Sequence, residues 1–112
     1  IVPPFWDDAA GRIELERRHT DGYTLWVDLL RFNGNYHFHY WPTLRQRIAE
    51  FRPDVIHMDE EPYNLATWLA WRAAQRAGAK FLFFSWQNLY RQKGLLQSLG
   101  KRQSRRVRLI YV

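Results

Sequence analysis

The 112-residue sequence contains no cysteine, which excludes disulfide bridges, thiolate metal sites and a cysteine nucleophile. It also has no apolar run near the roughly 20 residues of a membrane-spanning helix. The longest apolar window, residues 81–86, has the length of a strand. Glycine-rich phosphate-binding fingerprints and the G-x-S-x-G nucleophile elbow are absent. No signal peptide is visible and the first residue is Ile1, so we expect the natural start to lie outside this sequence.

Acidic residues are missing from the last fifth of the chain. Residues 91–112 carry seven Lys or Arg and no Asp or Glu, whereas residues 1–90 carry ten basic and eleven acidic residues. The formal net charge of +6 therefore belongs to a basic tail, and the rest of the chain is near neutral. Such a tail is typical of contact with nucleic acid or another anionic surface, including the peripheral face of a membrane.

Aromatic and other apolar residues are abundant, at 17% and 46% of the chain, and predict a folded domain. Residues 24–30 are rich in β-formers and predict a strand. The short apolar runs 54–58 and 81–85 predict buried parallel strands. Residues 7–11 predict a surface loop, and the alternation over 13–17 predicts a short strand or sheet edge.

Two helices are predicted between these strands. Pro42 suits a first helical turn, and Pro53 ends that helix because it disfavours helical geometry at the residue before it. The second helix is predicted over 65–77, with Asn64 as N-cap and Gly78 in a left-handed C-cap. Strands alternating with helices give parallel strands joined by right-handed crossovers. We therefore predict an α/β fold, part of a Rossmann-like doubly wound sheet.

In such sheets ligands bind outside the carboxyl ends of the strands. Three predicted loops occupy that position: residues 31–41, 59–64 and 86–90. The candidate substrate-binding residues that they carry are His37, His39, Asp59, Glu60, Glu61, Asn64, Trp86, Gln87 and Asn88. The motifs alone define no reaction and no catalytic residue.

Each candidate has a functional and a structural interpretation. The carboxylates at 59–61 could accept hydrogen bonds from sugar hydroxyls or assist proton transfer, or they could simply favour the start of a helix. His37 and His39 would face the same side of an extended strand, but no third metal ligand is evident, so polar contacts are favoured and no metal is expected. His57 is expected to be a core histidine. Trp86 is either a stacking wall for a sugar or base, or a core residue.

Residues 32–88 resemble the amino-terminal domain of family 4 (group 1) glycosyltransferases. The strongest segments are RPDVIHMDEEPYNLATW at 52–68 and FLFFSWQN at 81–88, with a weaker likeness back to VPPFW at 2–6. The combination of DEEPYNLAT with a following SWQN points to one bacterial subgroup.

The resemblance implies a GT-B enzyme with two Rossmann-like domains. Its amino-terminal domain would hold a sugar, lipid-linked or other hydroxyl acceptor, and its carboxyl-terminal domain would hold the nucleotide-sugar donor. No cofactor is then expected in this chain, and sugar transfer would retain the anomeric configuration without a metal. The carboxylates at 59–61 would face the interdomain cleft. Gln87 replaces a family histidine, which leaves a positioning role but puts acid–base chemistry in doubt. The implied location is cytoplasmic, with a peripheral contact at the inner membrane face as an option.

The resemblance stops near Arg91, and nothing in the sequence matches a donor domain or the family's first strand and glycine-rich turn. We therefore predict a partial domain over 1–90, inactive alone, and a basic tail over 91–112 produced by truncation or a shifted reading frame. The alternative for the tail is a divergent helix over 94–108. Two rival functions remain: a small nucleic-acid-binding or interaction module with a basic tail, and a nucleotide-binding Rossmann-like protein of another family.

Overall fold

The computed structural model describes residues 1–18 and 20–85. Its elements are β1 (Phe5–Asp8), β2 (Gly11–Glu14), α1 (Leu44–Phe51), β3 (Val55–Met58), α2 (Leu65–Ala77) and β4 (Lys80–Phe83). β1 and β2 form an antiparallel hairpin, whereas β3 and β4 are parallel neighbours connected through α2. This β–α–β unit confirms the α/β class and the partial Rossmann-like architecture.

Both helices end where the sequence predicts. Arg52 ends α1 in a left-handed conformation, with φ 51° and ψ 58°, and its N–H donates to the Ile48 carbonyl. The following Pro53 disfavours right-handed helical geometry at Arg52, so the helix cannot continue through it. α2 begins after Asn64 and ends at Gly78, whose φ of 70° is accessible to glycine without strain. The Asn64 side chain makes no capping hydrogen bond to α2. Its Nδ2 donates instead to the carboxylate of Glu60 in the preceding loop.

The hydrophobic core lies between the two helices and one face of the parallel sheet. Its buried members are Leu44, Ile48, Met58, Ala66, Ala70 and Ala73. Ile56 pairs with Phe81 and Met58 with Phe83 in the parallel register, so the alternate residues of both strands face this core. The small alanines on α2 let that helix approach the sheet and α1 closely.

The sequence predicts that the two parallel strands are buried. This prediction is wrong for the face of the sheet opposite the two helices. Val55 and His57 on β3, and Lys80 and Leu82 on β4, are exposed. These residues alternate with the core-facing ones, and both described helices pack on the opposite face of the sheet. His57 is therefore an exposed histidine and not the core histidine that the sequence predicts.

Residues 24–30 do not form the predicted strand. Val27 makes an isolated parallel bridge to Val2, where the Val2 N–H donates to the Trp26 carbonyl and the Asp28 N–H donates to the Val2 carbonyl, each at 3.0 Å. The ladder stops there because Pro3 and Pro4, which follow Val2, have no N–H to donate.

The predicted loop at 7–11 is instead the end of a hairpin. Asp8 is the last residue of β1 and pairs with Gly11, the first residue of β2, so only residues 9 and 10 form the turn. The alternating segment that follows is a strand, as predicted, but it starts at Gly11 and ends at Glu14.

The basic tail over 91–112, including the alternative helix over 94–108, lies outside the described residues. Within the part of the chain that the structure describes, no helix has both the length and the apolar character required to cross a membrane.

Candidate functional site

Two of the three predicted loops meet at the carboxyl end of β3. Glu60, two residues beyond that strand, places Oε1 3.0 Å from Nε2 of His39 in the 31–41 loop. Its other oxygen, Oε2, accepts a hydrogen bond of 2.8 Å from Nδ2 of Asn64, at the start of α2. The carboxylate is thus held on both oxygens, by two side chains that sequence analysis selects independently.

His39 is the centre of this cluster and is almost fully buried, with 1% of its surface exposed. The indole rings of Trp6 and Trp41 meet the imidazole edge-on, with ring centroids 5.0 and 6.0 Å away. Burial lowers the pKa of His39, but the hydrogen bond and negative charge of Glu60 and backbone carbonyls nearby outweigh it. The pKa is raised above its ordinary value of 6.5.

His37 lies in a different environment from His39. The sequence predicts an extended strand with both histidines on one face. Residues 36–38 form a turn instead, so the two histidines do not share a face. His37 is exposed, and its ring lies 5.7 Å from that of Tyr63. Its carbonyl accepts the Leu65 N–H at 2.9 Å, which satisfies one of the unpaired donors at the start of α2 and ties the 31–41 loop to that helix.

The three carboxylates at 59–61 diverge. Asp59 is exposed, whereas Glu61 is half-buried and its Oε2 accepts a hydrogen bond of 2.9 Å from the Ser85 hydroxyl. Because β3 and β4 are parallel, this contact joins the loops that follow both strands at one edge of the sheet. The third predicted loop begins immediately after Ser85, and its candidates Trp86, Gln87 and Asn88 lie outside the described residues.

Sequence reasoning missed Asn35, which shapes the loop around His39. Its Oδ1 accepts the N–H groups of His37 and Phe38, each at 3.1 Å, and its carbonyl lies 2.9 Å from Nδ1 of His39. The signal for it was present in the Asn-Gly-Asn turn at 33–35, since Asn side chains often bond the backbone two residues on. Trp6 was missed because its proximity to His39 is a tertiary contact. Trp41 is only two residues from His39 in the sequence, but the orientation of its ring towards the imidazole depends on the turn at 36–38.

Two buried polar atoms at the site have no hydrogen-bond partner among the described residues: Oδ1 of Asn64 and Nε1 of Trp41. A buried polar atom without a partner is energetically costly. No cluster of three or more potential metal-ligating side chains is present in residues 1–18 and 20–85.

A cavity of about 430 Å³ adjoins the carboxylates. Its walls come from residues 1–3, α1 and β3, with Asp59 and Glu60 also among its lining. The rest of the lining is mostly apolar and includes the indoles of Trp26 and Trp41. The site therefore combines an apolar hollow with a fixed carboxylate, the composition that is common in small-molecule sites.

Comparison with known families decides the class of this domain. Residues 5–111 match the model of a glycosyl transferase 4-like domain. The chain belongs to this family. The glycosyl transferase 4-like match confirms the resemblance carried by the segments at 52–68 and 81–88, and it implies substrates of the sugar class.

No curated protein and no solved structure matches the chain. The glycosyl transferase 4-like match extends past Arg91, where the quoted motifs end. The division of the chain at residue 90, and the origin of the basic tail, stay predictions.

Proposed function

We propose that this domain forms the acceptor side of a glycosyltransferase that moves a sugar from a nucleotide-sugar to a hydroxyl acceptor. The observation that carries the proposal is the Glu60 carboxylate, which is fixed on both oxygens at the carboxyl end of β3 yet remains 26% exposed. Each carboxylate oxygen has a second lone pair, so Glu60 keeps acceptor capacity for a hydroxyl.

The surrounding groups suit the same ligand. Asn64 is 4% exposed, and its amide nitrogen fixes Oε2 of Glu60 for that ligand. Asp59 and Glu61 add carboxylates beside Glu60, and His37 is exposed on the neighbouring loop. In this proposal Glu60 contacts the acceptor directly, and Asn64 holds the Glu60 carboxylate from the start of α2. Asp59, Glu61 and His37 contact the acceptor more peripherally, and Trp86, Gln87 and Asn88 supply the third loop of the site.

The adjoining apolar cavity favours an acceptor with a hydrophobic part. The cavity lining is mainly apolar and includes Trp26 and Trp41, which suits the C–H surface of a sugar ring or of a lipid-linked group. The nucleotide-sugar donor would bind on a separate domain of the full enzyme, as the family resemblance implies.

A binding measurement on the 112-residue protein tests the acceptor site. The probes are the methyl glycosides of glucose, galactose, mannose and N-acetylglucosamine, followed by saturation-transfer NMR. We expect at least one to bind, and Glu60→Gln to weaken its affinity by about tenfold, since a hydrogen bond to a charged group contributes about 1.5 kcal/mol.

The matched control is Asp54→Asn, which removes an exposed carboxylate at the opposite end of β3. It should leave the affinity unchanged. Binding of none of the four glycosides, or equal weakening by both variants, would contradict the proposed function.

A further inference from the structure

The imidazole of His39 faces a hydrogen-bond acceptor at each of its nitrogens. Nδ1 lies 2.9 Å from the Asn35 carbonyl oxygen, which can only accept, so Nδ1 must carry a proton. Nε2 lies 3.0 Å from Oε1 of Glu60. A neutral imidazole protonated at Nδ1 would present a bare nitrogen to this carboxyl oxygen, so one further proton must lie between Nε2 and Oε1.

Two states satisfy that requirement: an imidazolium donating to a carboxylate, or a neutral imidazole accepting from a carboxylic acid. Among the described residues, Glu60 is the charged group that faces the ring. β1 presents the Trp6 indole, and the loop after Arg31 presents the Trp41 indole and the Asn35 carbonyl. The raised pKa of His39 favours the imidazolium–carboxylate state.

This contact determines where the Glu60 carboxylate lies. His39 is itself immobilised by burial, by the two indoles and by Asn35, so its Nε2 is a fixed anchor for Oε1. Asn64, 4% exposed, anchors Oε2 from the start of α2. The exposed part of Glu60 is therefore presented in one orientation, and its side-chain entropy is lost on folding and not on ligand binding.

We propose that His39 is the positioning residue for Glu60, sharing a proton with it so that the carboxylate is preorganised to accept a hydrogen bond from the acceptor hydroxyl. This assignment rests on the proposed acceptor site. It gives a role to His39, which is too deeply buried to contact the acceptor itself. Loss of His39 would then weaken acceptor binding although the imidazole makes no contact with the acceptor.

Titration of the imidazole by NMR on ¹⁵N-histidine-labelled 112-residue protein tests the pairing directly. We expect the pKa of His39 to lie above 6.5 in the unmodified protein. In Glu60→Gln it should fall below 6.5, because burial remains while the compensating charge is removed. Asp54→Asn is the matched control and should leave the titration unchanged. An unaltered titration in Glu60→Gln would overturn the proposal.

The affinity for the best-binding methyl glycoside supplies the second readout. His39→Leu should weaken it by about tenfold, as far as Glu60→Gln does, and His39→Gln should recover part of the loss because its amide still donates to Oε1. Equal affinity in His39→Leu and the unmodified protein would also overturn the proposal. If no glycoside binds at all, the proposed function fails, while the imidazole titration, which needs no ligand, still decides whether Glu60 and His39 are coupled. Should His39→Leu not fold, Glu60→Gln and His39→Gln give the same two readouts.

Discussion

The amino-terminal region, residues 1–40, and the helical region, residues 44–83, are held together by different interactions. In the helical region, apolar side chains of α1, α2 and β3 share one buried core. In the amino-terminal region, hydrogen bonds of polar groups hold several segments together. Asn33 accepts the Asp7 N–H at 3.0 Å and donates to the Phe5 carbonyl at 2.9 Å, which fastens the 31–41 loop to β1.

The candidate site lies where these two regions meet. His39 and Trp6 belong to the amino-terminal region, and Glu60 and Asn64 belong to the helical region. The apolar core positions the carboxylate at the end of β3, and the hydrogen-bonded loop brings the histidine to it. The comparison thus predicts that core substitutions change global stability most, and that loop substitutions change the docking of one region on the other.

Removing a core side chain should have the largest effect. Ile48→Ala deletes a side chain that is 6% exposed between α1 and the sheet, and we expect it to lower the free energy of unfolding by about 3 kcal/mol. Ile13→Ala on β2, where the side chain is 56% exposed, is the matched control and should change it by less than about 0.5 kcal/mol. Urea denaturation of both variants measures the difference. Comparable losses would show that the hairpin contributes to stability as much as the core does.

The same contrast explains what could be predicted from sequence. α1, α2, β3 and β4 were predictable because hydrophobic periodicity, Pro53 and Gly78 are local signals. The bounds of α2 and the position of the 59–64 loop at the carboxyl end of β3 followed from them. The amino-terminal region was predicted poorly, since a strand at 24–30 needs a neighbour, and Val2 offers one bridge before two prolines.

At the site, Glu60 was selected through fold topology, since it follows β3. His39 was also selected, but through a strand at 24–30 that the structure does not form. Sequence reasoning could not separate buried His39 from exposed His37, because that difference depends on the turn at 36–38. His57 was misjudged for a related reason. An apolar strand does not reveal whether helices cover one face of its sheet or both.

A close approach between the 31–41 loop and the hairpin gives the next test. Gly34 has φ 84°, and a Cβ placed on it would lie 2.8 Å from the Asp7 carbonyl oxygen. Gly22 has a similar φ of 86° with nothing within 4 Å, so Gly22→Ala shares the backbone strain without the clash. We expect Gly34→Ala to be less stable than Gly22→Ala by about 1–2 kcal/mol in urea denaturation. Equal stability would mean that β1 moves away from the loop at little cost.

The smallest expected effect concerns the ion pair that links the two regions. Asp28 receives hydrogen bonds from Nε and Nη2 of Arg47 at 2.9 and 3.0 Å, and from the Thr43 hydroxyl at 2.7 Å. These contacts, Arg47 first and Thr43 second, lower the pKa of Asp28 from 3.8 to about 2. The Thr43 hydroxyl is thereby used in this contact, which is consistent with the absence of a side-chain capping bond at the start of α1.

Because the folded-state pKa is the lower one, this stabilisation is complete above pH 3.8 and is lost as the pH falls towards about 2. We expect Asp28→Asn to cost about 1 kcal/mol at neutral pH, since solvent screens a pair near the surface. Urea denaturation of both proteins between pH 7 and pH 2 measures the difference, and the two stabilities should converge at the acid end. The other carboxylates titrate in both proteins and cancel in that difference. If the difference in unfolding free energy between the two proteins stays constant down to pH 2, Asp28 joins the regions through its shape and neutral hydrogen bonds, without a contribution from its charge.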